Sequence, residues 1–405
     1  MLAHQCRYPL DMPPTVPAID QALAGNNFAL AHILYWEWAQ RAQHPALASE
    51  YLHRICAGFG FEPDFRIGGP AEEVGTAALP NASALDARSR YHLIHAWGFG
   101  FWSDVNHVVI QAMLAEMLGR TPIVYWGENS NFKHPSIPGN HFENFFERLA
   151  RITVDELSPT DAIYPPKWRH ENLKSGNNNK IHGPYSRHSA LYCFNRDEAI
   201  TVSDFYTSIH EIRPWIHPQS TYFGLDESAI FRRGFAKYLR PRSHIINSVD
   251  AFDAQYLAGS QWVAVHLRGT DKFRETPEYL QLIPLYHQAI QRLIERHPDI
   301  RIFLLTESIP LLTHFNETYP SRVLATQVTR RSDHIGLHLI GDDGYRLGAE
   351  VLIDALIAAR CDYFIGTKVS NVSLAIDSLK DWEADRALLI GHESARMLNR
   401  FIHQM

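Results

Sequence analysis

One stretch constrains this chain more than any other: Trp262-Val263-Ala264-Val265-His266-Leu267-Arg268, followed at once by Gly269-Thr270-Asp271-Lys272. A short, almost wholly apolar run predicts a strand buried on both faces, as in a parallel sheet. Alternate side chains of a strand share a face, so His266 and Arg268 point together while Val263, Val265 and Leu267 point to the other side. Such a strand delivers two polar groups to the carboxyl end of a sheet, which is where open α/β sheets bind ligands. Arg268 offers a fixed-charge planar fork suited to phosphate oxygens, and Gly269 lets the backbone turn and approach closely. The same residues equally suit a plain strand end closed by an Arg268–Asp271 ion pair.

Downstream, strands and helices alternate. The periodicity predicts a helix over 277–296, a strand over 301–306, a helix over 347–360 and a strand over 362–366. On the second helix Leu347, Val351, Leu352, Ala355, Leu356 and Ala359 form an apolar face, and Glu350 and Asp354, four apart, share another. The following strand ends in the hydroxyl-rich turn Thr367-Lys368-Val369-Ser370-Asn371-Val372-Ser373. Such a turn either caps the next helix or offers hydroxyls and N–H groups to a phosphate.

The earlier half repeats the texture. HAWGFGFWSDVNHVV, from His95, reads as a glycine-interrupted turn at Gly98 and Gly100 entering a helix over 104–118, then a buried strand over 121–126. Residues 18–62 carry two helices separated near His44-Pro45. They do not recur at a fixed period, so they read as a cap or association element and not as a solenoid. Residues 158–188 are polar and aperiodic, which predicts a long loop, inert or facing substrate. The division expected is a helical extension over 1–85, a first α/β lobe over 86–245 and a second over 246–405.

A chain of 405 residues exceeds one ordinary core, and 45% hydrophobic with 20% charged residues suits a water-soluble globular protein. Its net charge of −6 opposes a broad nucleic-acid footprint, so any anion must be held by a small local site. The four cysteines are far apart, and the pairs His182/His188 and His210/His217 lack a third metal ligand at useful spacing. Neither a secretion signal nor a membrane-spanning run is visible, so a cytoplasmic protein is expected.

Together, from about Ala96 to Ile376, the segments GFGFWSDVNHVV, His266 through Lys272, and Asp354 through Ser370 resemble the α-1,6-fucosyltransferase and protein O-fucosyltransferase superfamily, bacterial nodulation fucosyltransferases included. The resemblance implies an α/β GT-B fold, two Rossmann-like lobes facing a cleft behind the N-terminal helical extension, with GDP-fucose held mainly by the C-terminal lobe. It places His266 and Asp354 at the guanine, Arg268 and Ser370 at the β-phosphate, and Thr367 in the phosphate turn with Asn371 beside it. Gly98 and Gly100 would let the first lobe close over donor and acceptor, with Asn106 and His107 near the start of its helix. No metal or other cofactor is implied.

Three departures stand out. Where the α-1,6 enzymes carry a second arginine after the first, this chain has Gly269. Glu275 falls about one position short of their candidate base, which leaves Glu275 or Asp271 for that role. Thr306-Glu307-Ser308 supplies one carboxylate where members often have two. The expected activity is inverting, metal-independent transfer of fucose, or a related sugar, from a GDP-sugar to a hydroxyl of a glycan, lipid-linked glycan or protein. Polysaccharide biosynthesis or protein modification would use such an enzyme. The alternative is a non-catalytic nucleotide-sugar or glycan-binding module of the same fold. The residues 158–190 and the Tyr125-Trp126 end are the candidate acceptor surfaces.

Overall fold

The computed structural model describes residues 15–39, 45–58, 90–175, 196–203, 209–213, 216–217, 220–269, 281–333 and 343–391. Three helices open it: α1 (Val16–Ala24), α2 (Phe28–Ala39) and α3 (Pro45–Gly58). The expected first helix is split by Gly25 and Asn26, the latter in the left-handed region at φ 53°. Ile19, Tyr35, Leu52 and Ile55 are buried in the same apolar cluster as the first lobe, so the extension is part of its core.

Strands β1 (Tyr91–His95), β2 (Thr121–Tyr125), β3 (Ile163–Tyr164) and β4 (Ile200–Ser203) form one parallel sheet in the order β2-β1-β4-β3. Helix α4 (Phe101–Met117) follows β1 and is buried almost throughout. It starts one turn earlier than expected, because Asp104 accepts the Gly98 N–H at 2.9 Å and folds the glycine loop back on the first turn. Gly98 sits at φ 83°, a conformation that favours glycine. Helix α5 (Glu227–Tyr238) crosses α4 closely at Gly234, where a Cβ would meet Val109 Cγ1 at 2.6 Å. The polar stretch after Ser158 is not wholly a loop. It contributes β3 and a turn at His170–Asn172, while residues 176–195 lie outside the described residues.

After α6 (Ser243–Phe252) comes the second sheet: β5 (Trp262–His266), β6 (Arg301–Leu305), β7 (Val323–Leu324), β8 (Tyr363–Thr367) and β9 (Ala387–Ile390), parallel and ordered β7-β6-β5-β8-β9. This is a doubly wound order, and it reverses between β5 and β8. As the alternation required, Val263, Val265 and Leu267 pack with Tyr286 and Ile290 of α7 (Ile283–Arg296). Trp262 and Ala264 join the opposite cluster. Helix α8 (Ile309–Thr318), α9 (Gly344–Ala358) and α10 (Asn371–Leu379) complete the lobe.

The sheets meet through α9. A Cβ on Gly344 would stand 2.1 Å from Asn131 O, and one on Gly348 would stand 2.7 Å from the Phe145 ring. Tyr345 N donates to Lys133 O at 2.9 Å, a backbone bond between the two halves.

Three of the buried histidines, His92, His95 and His107, lie near one another in the first lobe. His92 bonds Thr201 Oγ1 at 2.7 Å and Gln111 Oε1 at 2.6 Å, and His95 stacks on Trp168 at 4.6 Å. Burial, the largest cause in each case, lowers His92 to about 4 and His95 and His107 to about 3. The folded chain therefore binds fewer protons than the unfolded chain below pH 6.5. Stability is full above that value and falls as pH drops toward 4, by roughly 2 kcal/mol per histidine at pH 5. Denaturant unfolding at pH 7 and pH 5 checks this; equal midpoints would contradict it.

Candidate active site between the two sheets

A cavity of about 410 Å³ lies beyond the carboxyl ends of β5, β6 and β8. The first half supplies an aromatic wall, with Trp97 and Phe99 ring centroids 4.5 Å apart and Trp102 beyond them. His266, Arg268, Glu307, Glu350, Asp354 and Asn371 line it from the second half.

His266 ends β5 and is held on both sides. Its Nδ1 lies 2.6 Å from Ser373 Oγ, and its carbonyl accepts the Tyr286 hydroxyl at 3.0 Å. Ser373 Oγ also accepts the Thr367 N–H at 3.0 Å. A serine that donates to Nδ1 leaves the ring proton on Nε2, the nitrogen left for the cavity. Burial first, and the Arg268 charge second, lower His266 to about 3, so the ring is neutral at any ordinary pH.

Arg268 follows two residues on, and its partner is Glu307 at the end of β6, Nε to Oε1 at 3.5 Å. The expected pairing with Asp271 lies outside the described residues, as do Thr270 and Glu275. Gly269 is needed for close approach: a Cβ there would meet Ser308 Cβ at 2.4 Å and Leu311 Cδ1 at 2.5 Å. The missing second arginine thus has a steric reason.

Asp354 is buried on α9. Burial raises its carboxyl to about 7, against the lowering effects of the Thr326 hydroxyl bond (2.7 Å) and the Arg330 charge. Glu350, one turn earlier on the same face, accepts from Thr329 N at 3.0 Å. The loop carrying these threonines is held by Arg330, whose guanidinium donates to the carbonyls of Thr306 (3.1 Å) and Thr326 (2.7 Å). Two carboxyl groups therefore face the cavity from one helix, and one is easily protonated.

The Thr367–Ser370 turn stands at the end of β8. Thr367 is fully buried, and its Oγ1 accepts from Val369 N at 3.4 Å, which shapes the turn. Ser370 occupies the N-cap position of α10 but makes no capping bond, and its Oγ is buried without a partner. Capping alone does not account for that hydroxyl.

The structure thus brings His266, Arg268, Asp354, Asn371 and Gly100 to one cavity; Gly98, Thr367 and Ser370 do not line it but stand within two residues in sequence of ones that do. Asn106 lines an adjacent cavity. His107 lies on the sheet side of α4, buried near His92 and His95, and does not line the cavity. Because α4 begins at Phe101, the first-turn residues Phe101, Trp102 and Ser103 take the place given to Asn106 and His107. Sequence reasoning left Glu307, Thr326 and Thr329 without a role. Glu307 was visible as the one carboxylate after the second strand, whereas the threonines sit in an aperiodic loop with no signal.

Among the described residues, no group of three His, Cys, Asp or Glu could hold a metal ion, and no helix is long and apolar enough to cross a membrane.

No protein-family model matches the chain, and no curated protein matches it. Among solved structures, the chain is similar in fold to fucosyltransferases. NodZ α-1,6-fucosyltransferase co-crystallised with GDP is 20% identical with a TM-score of 0.49, over 72% of this chain and 93% of that one. NodZ from Bradyrhizobium is 20% identical with a TM-score of 0.48, over 72% and 94%. POFUT1 in complex with GDP-fucose is 16% identical with a TM-score of 0.46, over 76% and 99%. The two parallel sheets with a cavity between them agree with the two-lobed α/β arrangement that the motifs implied.

The raised carboxyl has a measurable consequence. A folded-state value above the unfolded one costs stability as pH rises from about 4 to about 7, since the unfolded chain ionises Asp354 freely. Asp354→Asn should therefore unfold at higher denaturant than the parent at pH 8, with a smaller advantage at pH 5. A variant less stable than the parent at pH 8 would contradict the burial argument.

Proposed function

We propose that the chain is an inverting, metal-independent glycosyltransferase that moves fucose, or a closely related sugar, from a GDP-sugar to a hydroxyl of a glycan, lipid-linked glycan or protein. The observation that carries this reading is Arg268 at the reversal point of the second sheet, in one cavity with neutral His266 and the buried carboxyl of Asp354. Guanine presents adjacent N–H donors that suit an ionised carboxylate, and its ring acceptors suit an N–H from His266. Beside them, the guanidinium and the hydroxyls and N–H groups of the Thr367–Ser370 turn can receive a diphosphate.

In the transfer, the bond between the sugar's anomeric carbon and the diphosphate oxygen breaks, and its electron pair stays on that oxygen. The acceptor hydroxyl oxygen forms the new bond from the opposite face, and its proton passes to a base, with Asp271 and Glu275 as candidates. Arg268 donates hydrogen bonds to the departing diphosphate as charge develops on it, part of the work a metal does elsewhere. Trp97, Phe99 and Trp102 line the side from which water would otherwise reach the reacting atoms, which limits wasteful hydrolysis of the donor.

Arg268→Ala should fold normally and lose at least about a hundredfold in turnover, the scale of one transition-state donor of about 3 kcal/mol. Incubation with GDP-fucose, GDP-mannose and UDP-sugars, with and without chelator and scored by released nucleotide, tests the donor class. Release from UDP-sugars alone, or loss of activity with chelator that manganese restores, would overturn the reading. Tight GDP binding with no turnover across an acceptor panel would instead favour a nucleotide-sugar-binding module. Because the guanine contact needs Asp354 ionised, GDP affinity should fall as pH drops below about 7.

A further inference from the structure

Arg268 does not bring an uncompensated charge to the cleft. Glu307 Oε1 lies 3.5 Å from its Nε, both side chains are about four-fifths buried, and the pair is close to neutral as a unit. A diphosphate that leaves a sugar gains negative charge as the bond breaks, so a neutral pair gives it hydrogen bonds but little net field. No side chain can add charge at the next position, where a Cβ on Gly269 would stand 2.4 Å from Ser308 Cβ.

The missing charge is available on the neighbouring strand. Parallel β5 and β8 pair with Val263 opposite Tyr363, Ala264 opposite Phe364 and Val265 opposite Ile365. Arg268 and Lys368 each stand three residues past the last of these pairs, at the carboxyl edge of the sheet. Lys368 lines a second cavity, of about 390 Å³, that shares Trp102 and Asn371 with the first. Asn371, the first residue of α10, lines both cavities, so the cavity of Arg268 and the cavity of Lys368 meet at that helix N-terminus. Arg213, the other cation of that second cavity, lies 3.9 Å from Glu227. Lys368 has no carboxylate partner among the described residues; its backbone N–H donates to Ile390 O at 3.1 Å. At that N-terminus Ser370 Oγ is buried and unpartnered, at the start of a helix whose first N–H groups favour an anion.

We propose that Lys368 is the second diphosphate-binding cation of this site, supplying the net positive charge that Glu307 removes from Arg268. The proposal rests on the nucleotide-sugar reading above and adds to it a specific phosphate contact. A compact ammonium on a flexible stem suits a charge that grows on one oxygen as a bond breaks.

Calorimetric titration in metal-free buffer tests it, with GDP, GMP and inorganic pyrophosphate as probes against the parent, Lys368→Met and Lys368→Arg. Lys368→Met should weaken GDP and pyrophosphate at least tenfold and GMP less than threefold, and Lys368→Arg should recover most of the loss. Turnover of a GDP-sugar by Lys368→Met should fall further than GDP affinity does, because charge peaks as the bond breaks. Should methionine unfold the protein, Lys368→Gln carries the same test. Unchanged binding of GDP and pyrophosphate by a folded Lys368 variant overturns the proposal, as does an equal loss for GMP. A parent that binds pyrophosphate in a Lys368-dependent way but not GDP would sink the guanine reading and leave Lys368 standing. A parent that binds neither would overturn both.

Discussion

The lateral pairing of β5 with β8 is the interaction on which the cleft depends. Five parallel strands place these two side by side although almost a hundred residues separate them in sequence. Because the winding reverses between them, their following loops part and leave a crevice at the carboxyl edge. His266 and Arg268 enter that crevice from one strand, and Thr367 through Ser370 from the other. Ser373 locks the two together: its hydroxyl touches His266 Nδ1 and accepts the Thr367 N–H. The site is thus assembled by sheet register first and refined by one serine.

Electrostatically, the cleft is a set of opposed tensions. Burial holds His266 neutral and pushes Asp354 toward its neutral form, while Arg268 remains charged against Glu307. A ligand that offers N–H donors at one end and an anion at the other relieves each of these at once. The protein carries that cost in a buried carboxyl and a buried serine hydroxyl without a partner, which is the usual trade of stability against function.

Much of this was legible in the sequence, for identifiable reasons. The period-two split of 262–268 has one physical meaning in a buried strand, and the structure follows it residue by residue. Glu350 and Asp354 were placed on one face by helical spacing alone, and both line the cavity. What could not be read came from contacts between segments without local periodicity. The Glu307 partner of Arg268, the Thr326 bond to Asp354 and the Arg330 clasp all arise in loops whose conformation tertiary packing sets. The start of α4 was misplaced by one turn for a related reason: Asp104 looks like a first-turn cap but is spent on the Gly98 amide. His107 followed that error, since a residue near a helix start faces a cleft whereas one two turns in faces the sheet.

Gly344 and Gly348 lie on one stripe of α9 and press backbone to backbone, and backbone to ring, against the other half. That seam has no slack: a single methyl at either position would wedge it apart. The two halves are consequently joined at the start of the helix that carries Asp354 ten residues beyond Gly344, about 15 Å along its axis, and again where α5 meets α10, with Ser228 Oγ donating to Asp377 at 2.8 Å and Arg232 paired with Asp381 at 2.9 Å. Helix packing on both sides of the cleft, and not the loops at its mouth, therefore sets how far the carboxyl of Asp354 stands from the aromatic wall.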